Sequence, residues 1–297
     1  MATATYTSGT LHTTDAEFRI WGKELSDTLQ TFSSTPGLVK TGDTGQINWA
    51  TVTRASPPAD AGYEIYYLND SLHGTAPIYI RIDYGTASGA SRPRIKVTIG
   101  TGTNGAGTLT GITGTATICT SDTVNGAATT VPTYICVNTG FFGLAWKCTT
   151  ATTPQGGFTI CRSCDADGTP NAKAAIICYP IVATGTNTYT QTLRFESVAA
   201  AQTQDATGGG LSLVPGNVTS SSIGGANLQV YMCWMNAPDV RPVFGIATVV
   251  IASHALATTF SVALVGSTAR TYIALNANSF GSPANKNVAY ALAMLYE

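Results

Sequence analysis

Ile78-Tyr-Ile-Arg-Ile-Asp-Tyr84 and, further on, Ile95-Lys-Val-Thr-Ile99 place apolar and polar side chains in strict alternation. A period of two puts Ile78, Ile80, Ile82 and Tyr84 on one face of a strand and Tyr79, Arg81 and Asp83 on the other. Two such runs in succession predict neighbouring strands with one buried face and one polar face. Working outward, further strands are expected at 133–139, 158–164, 174–181, 190–197, 228–234, 244–252, 259–265, 270–275 and 287–296. Asn104-Gly105, Asn125-Gly126 and Asp167-Gly168 are candidate hairpin turns, because these pairs tolerate the positive φ of a tight turn. Many short strands with frequent turns predict a mainly β protein, with antiparallel sheets arranged as a sandwich or jelly roll.

One segment breaks this pattern. Within residues 15–32, Phe18, Trp21, Leu25, Leu29 and Phe32 recur at spacings of three and four, the stripe of an amphipathic helix. Thr14 followed by Glu17 has the form of a capping box, and Pro36-Gly37 closes the segment. Such a stripe usually packs on its own domain's sheet. The alternative is a neighbouring subunit, which makes Phe18, Trp21, Leu25 and Leu29 interface candidates.

Composition narrows the functional classes. Hydrophobic residues make up 44% of the 297 and charged residues only 10%, against ~25% in ordinary globular chains. Threonine, serine, asparagine and the 31 glycines must therefore supply much of the polar surface. Scarce charge suits surfaces that meet other subunits, where a charge is costly to desolvate. A formal net charge of −1 without a Lys/Arg cluster argues against nucleic-acid binding. Neither a basic and apolar leader at the start nor an apolar run of membrane length is evident, so a protein made in the cytoplasm, without membrane insertion, is expected. Two parts are expected: residues 1–115, a helix plus β domain for attachment or assembly, and residues 116–297, a C-terminal β domain. The Gly/Ser/Thr/Asn-rich stretch 202–225 reads as a long loop.

Chemical motifs are few. Gly100-Thr-Gly-Thr-Asn-Gly105 matches a dinucleotide-binding pattern, but that mechanism needs a helix directly afterwards and Ala106-Gly-Thr-Leu-Thr-Gly111 is a poor helix start; glycine turns explain it better. Cys161-Arg-Ser-Cys164 has the form of a CxxC. On a strand, residues three apart face opposite ways, and no second pair completes a zinc set. The seven cysteines are expected as reduced, buried thiols. Asp165, Asp167 and Asn171 offer oxygens for calcium, yet the bidentate glutamate of a calcium loop is missing and a plain turn fits the same residues. His12, His73 and His254 join no recognisable triad, and no carboxylate pair stands out; no catalytic residue and no cofactor is nominated. Tyr63, Tyr66, Tyr67, Tyr79 and Tyr84 cluster in one third of the chain. They are the recognition candidates, for stacking on sugars or protein, against the plainer reading of core or subunit interface.

Several stretches together resemble a group of tailed-bacteriophage virion proteins: Asp43-Thr-Gly-Gln-Ile-Asn-Trp49, Gly62-Tyr-Glu-Ile65, Thr75-Ala-Pro-Ile-Tyr-Ile-Arg-Ile-Asp-Tyr-Gly85 and Val97-Thr-Ile-Gly-Thr-Gly102. Gly157-Phe-Thr-Ile-Cys-Arg162 with Asp165-Ala-Asp-Gly168 is similar to a later hairpin in such chains. The resemblance covers roughly residues 14 to 180. It implies a particle component and carries over no functional residue. The expectation is a non-enzymatic virion subunit of tail, baseplate or fibre, partnered by its own copies, by other virion proteins and by a host-surface glycan or protein. A capsid decoration protein and a carbohydrate-binding or glycan-degrading phage protein are the alternatives.

Overall fold

The computed structural model describes residues 2–8, 14–56, 59–86, 93–114, 116–120, 131–146, 157–165, 169–181, 186–195, 211–216, 227–235, 243–250, 259–262, 270–274 and 290–295. In chain order the elements are β1 (Ala2–Ser8), α1 (Asp15–Gln30), β2 (Gly37–Lys40), β3 (Ala59–Asn69), β4 (Tyr79–Thr86), β5 (Pro93–Gly100), β6 (Gly102–Thr103), β7 (Leu109–Thr110) and β8 (Thr117–Thr120). They continue with β9 (Val131–Asn138), β10 (Phe141–Trp146), β11 (Gly157–Cys164), β12 (Pro170–Ile181), β13 (Thr186–Arg194) and β14 (Leu211–Gly216). Last come β15 (Asn227–Met235), β16 (Val243–Val250), β17 (Thr259–Val262), β18 (Arg270–Ala274) and β19 (Tyr290–Leu295). Among the described residues the protein is mainly β, with antiparallel sheets and one helix near the N-terminus, as the two periodicities predict.

The capping box forms as read: the Glu17 amide donates to Thr14 Oγ1 at 3.2 Å and the Thr14 amide to Glu17 Oε2 at 2.9 Å. Two otherwise orphaned amides are thereby satisfied. The stripe faces inward, with Phe18, Leu25 and Leu29 at 0% exposure and Trp21 at 1%. It packs on the chain's own sheet, so these four residues are core and not an open interface. Gly22 lies on the same face because Trp49 needs the space: a Cβ there would fall 1.9 Å from the indole ring.

A five-stranded sheet runs β2-β3-β4-β5-β8, and Ile80 opposes both Tyr66 on β3 and Ile99 on β5. Ile78, Ile80, Ile82 and Tyr84 all point inward at 0% exposure, which is the alternation made visible. A larger, twelve-stranded sheet follows the path β1-β9-β10-β11-β16-β19-β18-β17, with β12 and β13 branching from β11 and with β15 and β14 from β16. Pairing crosses position 115 in both directions: β1 lies against β9, and β8 lies against β5. One continuous apolar core draws on α1, on β2 to β5 and on β9 to β13. The glycine-rich run after β5 forms the small β6–β7 hairpin, with no helix following it. β11 and β12 pair antiparallel, and at the end of the pair Asp165 N donates to Thr169 O at 2.9 Å. The turn candidate 125–126, and His12, Asp167 and His254, lie outside the described residues, as does the loop reading of 202–225 apart from β14.

Candidate recognition surface

Alternation along β3 and β4 sorts the five candidate tyrosines onto two faces. Tyr66 and Tyr84 point inward and are fully buried. Their hydroxyls donate to Glu64 Oε2 at 2.8 and 2.7 Å, while Glu64 Oε1 accepts from Ser26 at 2.7 Å, Lys40 at 2.5 Å and Trp49 Nε1 at 3.3 Å. A buried carboxylate is tolerated only when paired and hydrogen-bonded, and five donors meet that condition. The hub joins α1, β2, β3, β4 and the loop carrying Trp49. Burial, and then the negative charge of Glu64, push both tyrosine hydroxyls well above their ordinary 10.0. As recognition candidates Tyr66 and Tyr84 are therefore corrected: they are internal posts of a polar network.

Tyr63, Tyr67 and Tyr79 point the other way and are half-buried. Tyr67 and Tyr79 are directly opposed across β3 and β4, with ring centroids 5.8 Å apart. His73 joins them, 4.5 Å from Tyr67 and 5.9 Å from Tyr79. The same face continues into charge. The Arg81 guanidinium stands 4.1 Å over the Tyr63 ring and binds Asp83 at 2.6 Å, while Lys96 reaches Asp60 at 2.5 Å and Asp83 at 3.6 Å. Arg94 completes the group, 3.5 Å from Asp60. Each acidic side chain of this face is thus ion-paired, and the three aromatic rings form a compact stacking platform beside it.

The platform is held from behind. His73 sits in the turn between β3 and β4, where its amide donates to Asp70 O at 3.1 Å and the Leu72 amide donates to Asp70 Oδ1 at 3.1 Å. That carboxylate also takes Arg162 Nε at 2.7 Å, Arg162 Nη2 at 3.0 Å and the Gly140 amide at 3.1 Å. The turn bearing His73 is thereby fixed to β11 of the larger sheet.

A second anchor lies at the far end of the face. Asp43 accepts from Thr41 at 2.7 Å, from Thr103 and from the Gly107 amide at 3.1 Å, tying the loop after β2 to the β6–β7 hairpin. Burial pushes this carboxyl up, but those hydrogen bonds outweigh it and leave the group below its ordinary 3.8. Gly107, at φ +89°, must be glycine on two counts: the left-handed backbone, and a Cβ that would fall 2.0 Å from the Tyr63 hydroxyl.

Elsewhere the remaining candidates are placed plainly. Asn171 Oδ1 accepts from Ser163 at 2.5 Å and Asn171 Nδ2 donates to Asp165 at 2.9 Å, so the asparagine is engaged by the hairpin's own groups. Cys136, Cys161 and Cys164 are reduced thiols; Cys161 is buried and Cys164 half-buried, with a register irregularity between Arg162 and Cys164. No cluster of three metal-ligating side chains occurs among the described residues. Among them, too, no helix is long and apolar enough to cross a membrane. The reading from sequence weighed His73 only as a triad member and Arg81 only as a strand residue, and it nominated neither them nor Glu64 nor the Asp70–Arg162 pair for the site. Arg81 and Asp83, two apart on a strand that already shows its polar face, carried the one signal that pointed to a charged surface beside the tyrosines.

Fold and surface together define a class: a β-rich, sandwich-like protein with an ion-paired aromatic platform on an outer sheet face. Neither a family model nor a curated protein matches the chain.

Proposed function

We propose that this chain is a structural subunit of a tailed-bacteriophage particle, in the tail, baseplate or fibre apparatus, working through protein contact rather than turnover. One observation carries the reading: in a chain with only 10% charged residues, many of the described charges are consumed internally. Glu64, Asp70 and Arg162 are buried in pairs, and Asp60, Asp83, Arg81 and Lys96 bind one another across β3 to β5. Little charge is left to hydrate an isolated monomer, whereas a subunit surrounded by copies and by other virion proteins needs little. The resemblance of residues 14 to 180 to virion proteins agrees with this, and closed symmetry lets one apolar patch serve every copy. In this reading the Tyr67–His73–Tyr79 platform is the part that meets the host surface. Stacked aromatic rings bind saccharide or protein equally well, which also keeps a carbohydrate-binding role in view.

Immunogold labelling of intact particles with antibody to this chain tests the proposal. Gold on the tail, baseplate or fibres supports it. Gold over the head assigns a decoration protein instead, and particles without gold remove the virion reading. A glycan array read beside a hydrolysis assay separates binding from degradation.

A further inference from the structure

The five tyrosines of β3 and β4 divide by what their hydroxyls do. Tyr66 and Tyr84 donate to Glu64, and Tyr63 donates to Thr44 O at 2.8 Å. The Tyr67 and Tyr79 hydroxyls have no hydrogen-bond partner among the described residues, and neither is enclosed, so both reach solvent. These two belong to the platform. Its third ring, His73, makes no side-chain hydrogen bond, and its Nδ1 is enclosed without a partner, so the imidazole offers chiefly its face. Beside it Gly74 and Thr75 are exposed, and a Cβ at Gly74 would meet nothing within 4 Å. Open space therefore adjoins the three rings.

Ring stacking alone does not separate a sugar from a protein; the unspent hydroxyls do. A tyrosine that anchors a dry protein contact leaves a costly unpaired hydroxyl unless the partner supplies a matching group. A pyranose brings both halves at once, an apolar C–H face for the rings and hydroxyls at its edge for the phenolic tips. Charge sharpens the choice further. On this face Arg81 gives Nε and Nη2 to Asp83 and Nη1 to Gly107 O. Lys96 lies 2.5 Å from Asp60, and Arg94 3.5 Å from the same residue. A carboxylate or phosphate on the ligand would have to displace one of these pairs, whereas a neutral sugar displaces none.

We propose that Tyr67, His73 and Tyr79 form a site for a neutral pyranose unit of a surface glycan. The sugar's C–H face lies on the rings, and its hydroxyls bond the Tyr67 and Tyr79 tips. The two tyrosines are directly opposed across β3 and β4 with centroids 5.8 Å apart, so one sugar ring touches both. Both strands belong to a paired sheet, and the turn that carries His73 is tied to β11 by the buried Asp70–Arg162 pair. The site is thus held in place before the ligand arrives, which lowers the ordering cost of binding. The inference rests on the reading of this platform as the part that meets the host surface, and names what it takes there.

The purified full-length chain, isotope-labelled in its tyrosine rings, is titrated by nuclear magnetic resonance with four neutral probes. These are the methyl glycosides of glucose, galactose, mannose and N-acetylglucosamine; glucuronate is the charged counterpart of the first. At least one neutral probe is expected to shift the Tyr67 and Tyr79 ring signals, and glucuronate to bind more weakly than methyl glucoside. Tyr67→Phe combined with Tyr79→Phe keeps the rings and removes the tips. With native circular dichroism, that variant should bind the sugar about tenfold more weakly, the factor that two lost hydrogen bonds give. Silence from all four neutral probes, undiminished binding by the phenylalanine pair, or glucuronate bound as tightly as methyl glucoside overturns the site. If no sugar binds while Tyr67→Ala with Tyr79→Ala still lowers particle adsorption, the platform meets a protein receptor and only the saccharide is lost. If the sugar binds but gold finds no copy of the chain on particles, the saccharide site stands and the virion reading falls.

Discussion

Asp70 and Arg162, 92 residues apart in the chain, meet as a two-pronged ion pair with both side chains at 0% exposure. The pair joins the turn that holds His73 to the larger sheet, and the Gly140 and Leu72 amides complete the carboxylate's shell. Burying two ions is expensive, and removal of one leaves the other uncompensated. Asp70→Ala and Arg162→Met should each cost about 3–5 kcal/mol. Asp70→Leu combined with Arg162→Met should cost less than the sum of the single changes, because no unpaired charge is left. Urea denaturation of the three variants checks the inequality; additive losses would mean that the two residues act independently.

High pH should unfold the protein through the Glu64 hub. Tyr66 and Tyr84 have hydroxyls pushed well above 10.0 in the folded state by burial and by the Glu64 charge. A group whose folded pKa is raised contributes stability that is complete below its unfolded value and is lost as pH rises toward the folded one. The chain is therefore expected to hold constant stability up to about pH 10 and to lose it above, with tyrosine absorbance and circular dichroism changing together. Ionisation of these two tyrosines in a chain that keeps its native dichroism would contradict the hub.

Gly22→Ala tests the contact between α1 and Trp49. Alanine is the better helix former, so an exposed position would gain roughly 0.5–1 kcal/mol. Here the added methyl meets the Trp49 ring 1.9 Å away, and overpacking should reverse the sign to a loss of about 1–3 kcal/mol. Thermal melting with tryptophan fluorescence gives both the sign and the environment of the ring.

Tyr67→Ala with Tyr79→Ala probes the platform without touching the core. Cross-strand pairs contribute about 0.2–1 kcal/mol, so the doubly substituted chain should stay folded. Adsorption of particles carrying it should fall roughly tenfold, the factor that ~1.4 kcal/mol of lost contact gives. Adsorption equal to that of the wild type would leave these rings without a host-binding role.

The period-two and period-3.6 patterns made the elements legible. The helix begins at Asp15 as the Thr14–Glu17 box announces, and Ile78, Ile80 and Ile82 face inward as their spacing requires. Tyr66 and Tyr84 were harder to place, because a tyrosine suits a core as well as a surface and the deciding fact is Glu64 beneath them, a partner no local pattern reveals. Asp70 and Arg162 are invisible for the same reason, since pairing across 92 residues is a property of the closed fold.

A density map of whole particles at side-chain resolution tests the central claim most directly. The account expects repeated copies of this chain arranged around the tail, baseplate or fibre axis, with the Tyr67–Tyr79 face turned outward. Particles whose density contains no copy of the chain would contradict it.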